Sequence, residues 1–147
     1  MLCTNCGKET PLTFSNPKRS KYGSVRTFSG GRHYQSQLEA RVGDMLDLAV
    51  KGKLIKSYEW QVVIAINISS VWIANYKCDF RVIHNDKSVE WIEAKGEETE
   101  RFRIIRRLML LYLQENPKEL YTIYKNDHAK EFFQNGKRIS TGKFWKQ

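Results

Sequence analysis

Cysteine is scarce in this 147-residue chain: Cys3, Cys6 and Cys78 are the only three. They are too few and too unevenly spaced for a disulfide framework, which excludes the small stapled secreted domains. Long apolar runs are missing as well, and none approaches the roughly 18 residues that a membrane span requires. The opening "MLCTNCGKET" lacks the charged-then-apolar layout of a secretory signal. The expectation is a soluble, cytoplasmic protein. Acids are absent from two whole stretches, residues 11–38 and everything after Glu131.

Those acid-free ends hold most of what is unusual in the composition. The first carries Lys18, Arg19, Lys21, Arg26 and Arg32, and the second Lys137, Arg138, Lys143 and Lys146. Together they account for the whole net charge of +9, leaving a near-neutral middle. Basic ends on a neutral centre predict a polyanionic partner, most often nucleic acid. A merely solvated basic surface would have the same composition. Cys3 and Cys6 form a C-x2-C knuckle of the kind that holds zinc. Its second pair of ligands is missing, since only Cys78, His33, His84 and His128 remain. Either Zn²⁺ is shared or completed by His33, or the knuckle is empty.

At 41% hydrophobic residues, the chain can fill one core, and nothing in its length calls for a second domain. Residues 1–35 read as a basic flexible arm, rich in Gly, Ser, Asn and Pro without sustained periodicity. Ser36-Gln37-Leu38-Glu39 has the form of a capping box, Ser at N-cap and Glu at N3. The helix it opens carries Leu38, Val42, Leu46 and Ala49 or Val50 on one stripe and stops near Gly52. Strands are expected over residues 54–68, 76–83 and 88–95, with His84-Asn85-Asp86-Lys87 as turn residues. A second helix runs from Glu98 to about Glu115, ended by Asn116-Pro117. A strand over 120–125 and a short helix over 127–133 complete a core of residues 36–133, and residues 134–147 form a basic tail. The fold class is α/β (α+β), an αβββαβα core with helices flanking a mixed central sheet.

The chemistry concentrates in "VEWIEAKG", residues 89–96. Alternation in a strand puts Trp91, Glu93 and Lys95 on one face. Asp79 sits mid-strand in "YKCDF", although Asp is a poor strand former. An odd-length loop centred near Asp86 places Asp79 opposite Glu93, with the two Cβ atoms about 5 Å apart. Two such carboxylates repel each other unless a cation lies between them. Hard oxygen ligands of this kind suit Mg²⁺ or Mn²⁺. Lys95, one step along, can activate a water or offset charge growing on a phosphoryl oxygen. Glu39 either completes its capping box and nothing more, or reaches in as a further ligand or base. Glu93 with Lys95, or Asp79 with Lys77 or Arg81, would equally make plain surface ion pairs.

These residues resemble the signature of PD-(D/E)XK nucleases, an Asp followed on the next strand by (Glu/Asp)-x-Lys: "DFRVIHNDKSVEWIEAKG". The stretch "KYGSVRTFSGGRHYQSQLEARVGDMLDLAVKGKL" followed by "YEWQ" is similar to the opening of small phage-encoded nucleases of that superfamily, which includes the phage endonuclease I type of Holliday junction resolvase. The resemblance covers about residues 21 to 125. It implies Asp79, Glu93 and Glu39 as metal ligands, Lys95 as the catalytic lysine and Gln61 as a polar residue near the site. Cys78 stands where the Pro of the motif would be, a position without chemistry. A phage-encoded enzyme would work in the host cell cytoplasm.

Arg101, Arg103, Arg106 and Arg107 precede the apolar run 108–113 on the second predicted helix, which is expected to be buried on more than one side. With Lys21, Arg26 and Arg32 they are the candidate nucleic-acid contacts, or else solubilising surface beside Glu97, Glu98 and Glu100. The expectation is a Mg²⁺-dependent endodeoxyribonuclease, structure-selective on branched DNA and a homodimer through its surplus apolar surface. The alternatives are a nicking, recombination-linked or restriction-like endonuclease, and a non-catalytic nucleic-acid-binding module.

Overall fold

The computed structural model describes residues 23–140. Along them run β1 (Thr27–Ser29), β2 (Arg32–Tyr34), α1 (Gln37–Lys51), β3 (Ser57–Ile68), β4 (Val71–Ile83), β5 (Val89–Ala94), α2 (Glu100–Glu115), β6 (Leu120–Tyr124), β7 (Lys130–Gln134) and β8 (Lys137–Ile139). One six-stranded sheet has the order β3-β4-β5-β6-β7-β8, and β1 with β2 makes a separate ribbon. Its neighbours are antiparallel except β5 and β6, which run parallel. A parallel pair needs a crossover, and α2 supplies it. The expected mixed α+β class holds. Among the described residues no helix is long and apolar enough to cross a membrane.

The two helices lie on opposite faces of the sheet, as successive residues of β5 show. Trp91 joins a core with Phe102, Met109 and Leu113 of α2 and with Tyr76, Cys78, Tyr121 and Ile123. Ile92 joins the other, with Ala40, Val42, Leu46 and Ala49 of α1 and with Tyr34, Phe80, Val82 and Tyr124. Both helices begin as their sequences require. Ser36, in extended backbone, accepts from the Glu39 N–H, and Thr99 accepts from that of Phe102. Within the apolar run 108–113, expected on a helix buried on more than one side, Leu111 is exposed, as is Ile104 before it.

Three parts of the sequence reading are corrected here. The arm is not featureless over its described part, because residues 27–34 form a β-hairpin against α1. Its loop is Gly30-Gly31, both at positive φ (54° and 80°), which is the backbone a two-residue hairpin turn demands. Tyr34 of this hairpin is buried and seats itself over Gly43 so closely that a Cβ there would lie 2.3 Å from its hydroxyl oxygen. The expected helix over 127–133 is instead the turn and strand β7. Asn126 Oδ1 accepts from the N–H groups of His128 and Ala129, folding the chain straight back. The tail then contributes β8 to the sheet edge through Asn135-Gly136, again at positive φ (50° and 71°). The αβββαβα order therefore loses its last helix.

An irregularity inside the β3–β4 pair matters for function. Trp60 and Phe80 are register partners on the α1 side, yet the next partners along the ladder, Val62 and Cys78, pack on the α2 side. Regular alternation would keep these even-numbered residues on one face. Both strands therefore roll over between those two pairs, at Gln61 and Asp79. Gln61 has φ of 52°, a left-handed conformation that only strain-tolerant positions adopt outside glycine.

Candidate functional site

The β4–β5 ladder runs from Ile83↔Val89 to Phe80↔Ile92 and ends there. One step further, Asp79 faces Glu93, as the odd-length loop predicts. Here the strands part: the Asp79 carboxylate enters the gap and its Oδ2 accepts from the Ala94 N–H at 2.8 Å. Meanwhile β5 continues against β6, and the Lys95 N–H donates to the Tyr124 carbonyl at 2.8 Å. Asp79, Glu93 and Lys95 thus meet at the carboxyl end of the central strand, where the sheet opens.

Electrostatics mark this opening as costly. Burial, and next the Glu93 charge, push the Asp79 carboxyl well above the usual carboxylate range. Burial likewise pushes Glu93 up, opposed by a hydrogen bond from Tyr76 and by the Lys95 charge. Glu93 is only 7% exposed. Two carboxylates that resist ionisation together are an arrangement a divalent cation relieves. Lys95 is half-buried, with its ammonium 5.6 Å from the Phe102 ring centroid at the start of α2.

Glu39 is buried, and both its oxygens are engaged. Oε2 accepts from the Gln35 N–H and Oε1 from the Trp60 indole, each at 3.0 Å. Its charge nonetheless reaches the pair, raising the proton affinity of both Asp79 and Glu93. Among the described residues, no three His, Cys, Asp or Glu side chains come close enough together to hold a metal ion. Of the three carboxylates, the structure brings Asp79 and Glu93 together, and Glu39 stands behind them, held by Gln35 and Trp60. Gln61 lies across from Asp79 at the roll.

The candidate cations divide into three groups. Arg26, Arg101 and Arg107 are exposed. Arg32 is built into the fold: it donates to the Tyr58 hydroxyl at 2.6 Å, and that hydroxyl donates on to Asp47 at 2.5 Å. Arg106 lies 2.7 Å from Glu98 and 3.6 Å from Glu131, and Lys125 bonds to Glu98 and sits 3.8 Å from Glu131. Arg103 and Arg138 flank this ring at 3.9 and 3.4 Å. Lys125, first of its causes, holds the Glu98 carboxyl below its ordinary range. The ring adjoins the site, since Lys125 follows directly on Tyr124. Sequence reasoning passed over Lys125, and over the tyrosines beside Glu93, because single residues on strands carry no spacing signal. Lys21 and the Cys3–Cys6 knuckle lie outside the described residues. Cys78 and His84 are buried, the latter 3.1 Å from Glu90.

No curated protein and no solved structure matches this chain. Its residues 19–128, which hold Glu39, Gln61, Asp79, Glu93 and Lys95, match the family model described as "Protein of unknown function (DUF1064)", and the chain belongs to that family.

Proposed function

We propose that the protein is a metal-dependent endodeoxyribonuclease, and the close Asp79–Glu93 pair beside Lys95 is the observation that carries this reading. The donor set suits a hard divalent cation: two oxygen ligands of like charge, forced together and reluctant to ionise alone. Asp79 and Glu93 would hold Mg²⁺ or Mn²⁺. Bound there, the cation would offset the charge of the pair and of a phosphodiester. Lys95 enters from the same strand end, where its ammonium stabilises charge building on a phosphoryl oxygen as water attacks phosphorus and the P–O bond to the leaving oxygen breaks. Glu39 holds the Trp60 indole and the start of α1 in place behind the pair. Exposed Arg26, Arg101 and Arg107, with the Arg106–Lys125 ring, offer phosphate contacts along the rim. The resemblance to PD-(D/E)XK nucleases supports the same assignment.

The finer reading is selectivity for branched DNA by a homodimer. Its support is the far half of the β3–β4 hairpin, where α2 covers one face and Val63, Val71, Trp72 (60% exposed) and Ile73 remain in water. Residues 62–76 of this hairpin carry no charge at all, so two basic copies meet there with least repulsion. A cleavage assay on linear, nicked, forked and four-way DNA with Mg²⁺, alongside sedimentation, tests both levels. Four-way DNA should be cut and bound best, by a dimer. Loss of cutting in Asp79→Ala and Glu93→Ala with DNA affinity kept is expected, and full activity in either sinks the site. The engagement of both Glu39 oxygens favours a second reading, a nucleic-acid binder without turnover. An inert wild type that still binds four-way DNA would establish it.

A further inference from the structure

The site has a support that the nuclease reading does not itself require. Tyr76, on β4, places its hydroxyl 2.5 Å from Glu93 Oε2 and 3.2 Å from the hydroxyl of Tyr121 on β6. All three side chains are buried in the core under α2. A tyrosine hydroxyl carries one proton. When Glu93 is ionised it can only accept, so Tyr76 donates to it and Tyr121 donates to Tyr76. The direction of the chain, Tyr121 to Tyr76 to Glu93, follows from that donor count alone.

The roll in the hairpin is what makes this contact. Phe80 points to the α1 side, and regular alternation would send Tyr76 there too. Because β4 rolls at Asp79, Tyr76 turns to the α2 side, which is the side Glu93 occupies. The residue type also suits the task. A neutral tyrosine hydroxyl donates its hydrogen bond without adding a charge beside the carboxylate. A lysine or arginine in the same place would be a fixed positive charge competing with a bound cation.

We infer that Tyr76, backed by Tyr121, is a positioning residue that holds the Glu93 carboxylate in one orientation toward Asp79. This rests on the nuclease reading above. A carboxylate held by a donor on one oxygen loses no rotamer freedom when it takes a cation on the other, and partners of this kind typically govern metal affinity. A purely space-filling tyrosine pair would affect stability and leave cation binding alone.

The test uses the full chain with Mn²⁺ as probe, its free fraction read by electron paramagnetic resonance, and steady-state cleavage of four-way DNA. Tyr76→Phe should weaken Mn²⁺ binding by about tenfold or more and lower kcat with KM for DNA nearly unchanged. Tyr121→Phe should do the same at about threefold, since the hydrogen bond to Glu93 survives without its polarising neighbour. In a Glu93→Gln background, Tyr76→Phe should change Mn²⁺ binding no further. If Tyr76→Phe fails to fold, Tyr121→Phe decides. Phe variants that bind Mn²⁺ and turn over like wild type overturn the positioning role and leave the nuclease reading intact. A wild type that neither binds Mn²⁺ nor cuts overturns that reading, and this inference with it.

Discussion

Replacing Asp79 by Asn should make the metal-free protein more stable at neutral and alkaline pH while abolishing its response to metal. Asn keeps the shape and can still accept from the Ala94 N–H, so only the charge is lost. Both carboxyls of the pair have their proton affinity raised by folding, so the folded state binds more protons than the unfolded chain. By linkage, wild-type stability then falls as pH rises, starting at the ordinary carboxylate range near pH ~4 and continuing until the pair has ionised around neutrality. Taking about two pK units as the part that one charge contributes, at about 1.4 kcal/mol each, the variant should gain on the order of 2–3 kcal/mol at pH 8. For a chain of this size that is roughly a 6–12 °C rise in Tm. Below pH ~4 both proteins are neutral at this position, and their melting curves should nearly coincide. Added Mn²⁺ should raise the wild-type Tm at pH 8 by mass action and leave the variant unmoved. Differential scanning calorimetry across pH 4–8, with and without Mn²⁺, reads all of this. Parallel pH slopes for the two proteins would refute the claim that the pair is a charge-strained cation site.

Three further outcomes are expected. Lys95→Ala should cut turnover by about 100-fold or more, as loss of a donor to developing charge does, while DNA affinity in gel shifts falls little. Gly43→Ala should destabilise by about 1–3 kcal/mol in urea melts, because the new methyl lands on the Tyr34 ring, and Gly43→Ala with Tyr34→Leu should recover part of that. Deleting residues 1–10 should leave hydrolysis intact; cleavage that depends on stoichiometric zinc at Cys3 and Cys6 would contradict this.

Much of the site was legible because its geometry follows from parity and loop length. The Ser36 N-cap of α1, the turn at His84–Lys87 and the β4–β5 register are all local rules, and the structure obeys each, although the Glu39 carboxylate takes the Gln35 N–H in place of the Ser36 N–H that a full capping box requires. The two hairpins that escaped notice are just as local. Gly30-Gly31 and Asn135-Gly136 are the dipeptides a two-residue turn needs, each flanked by short strands. They escape because their strands are only three to five residues long, so no hydrophobic alternation announces them. The stretch after Asp127 read as a helix for the same reason: "AKEFFQ" has both an apolar pair and good helix formers, and only pairing with β6 makes it a strand. What no local rule carries is the roll at Gln61. Alternation from Tyr58 to Ile68 looks unbroken, and a left-handed glutamine leaves no mark in composition. Regular alternation would leave Tyr76 facing away from Glu93.

That roll also sets a rule for how the chain can change length. The outer half of the β3–β4 hairpin is out of phase with its base by one residue, and the offset is absorbed at Gln61 on one strand and at Asp79 on the other. Adding or removing two residues on each strand beyond this point keeps every side chain on its face, so the hairpin is free to lengthen or shorten in such steps. A single-residue deletion beyond the roll, at Val62 for example, would turn the rest of the outer half of β3 over. Ile64 and Ile66 would then exchange places with Val63 and Ala65, stripping α2 of its covering. Variation in this family should therefore enter the hairpin in even increments, and an odd one should come paired with a compensating change in β4.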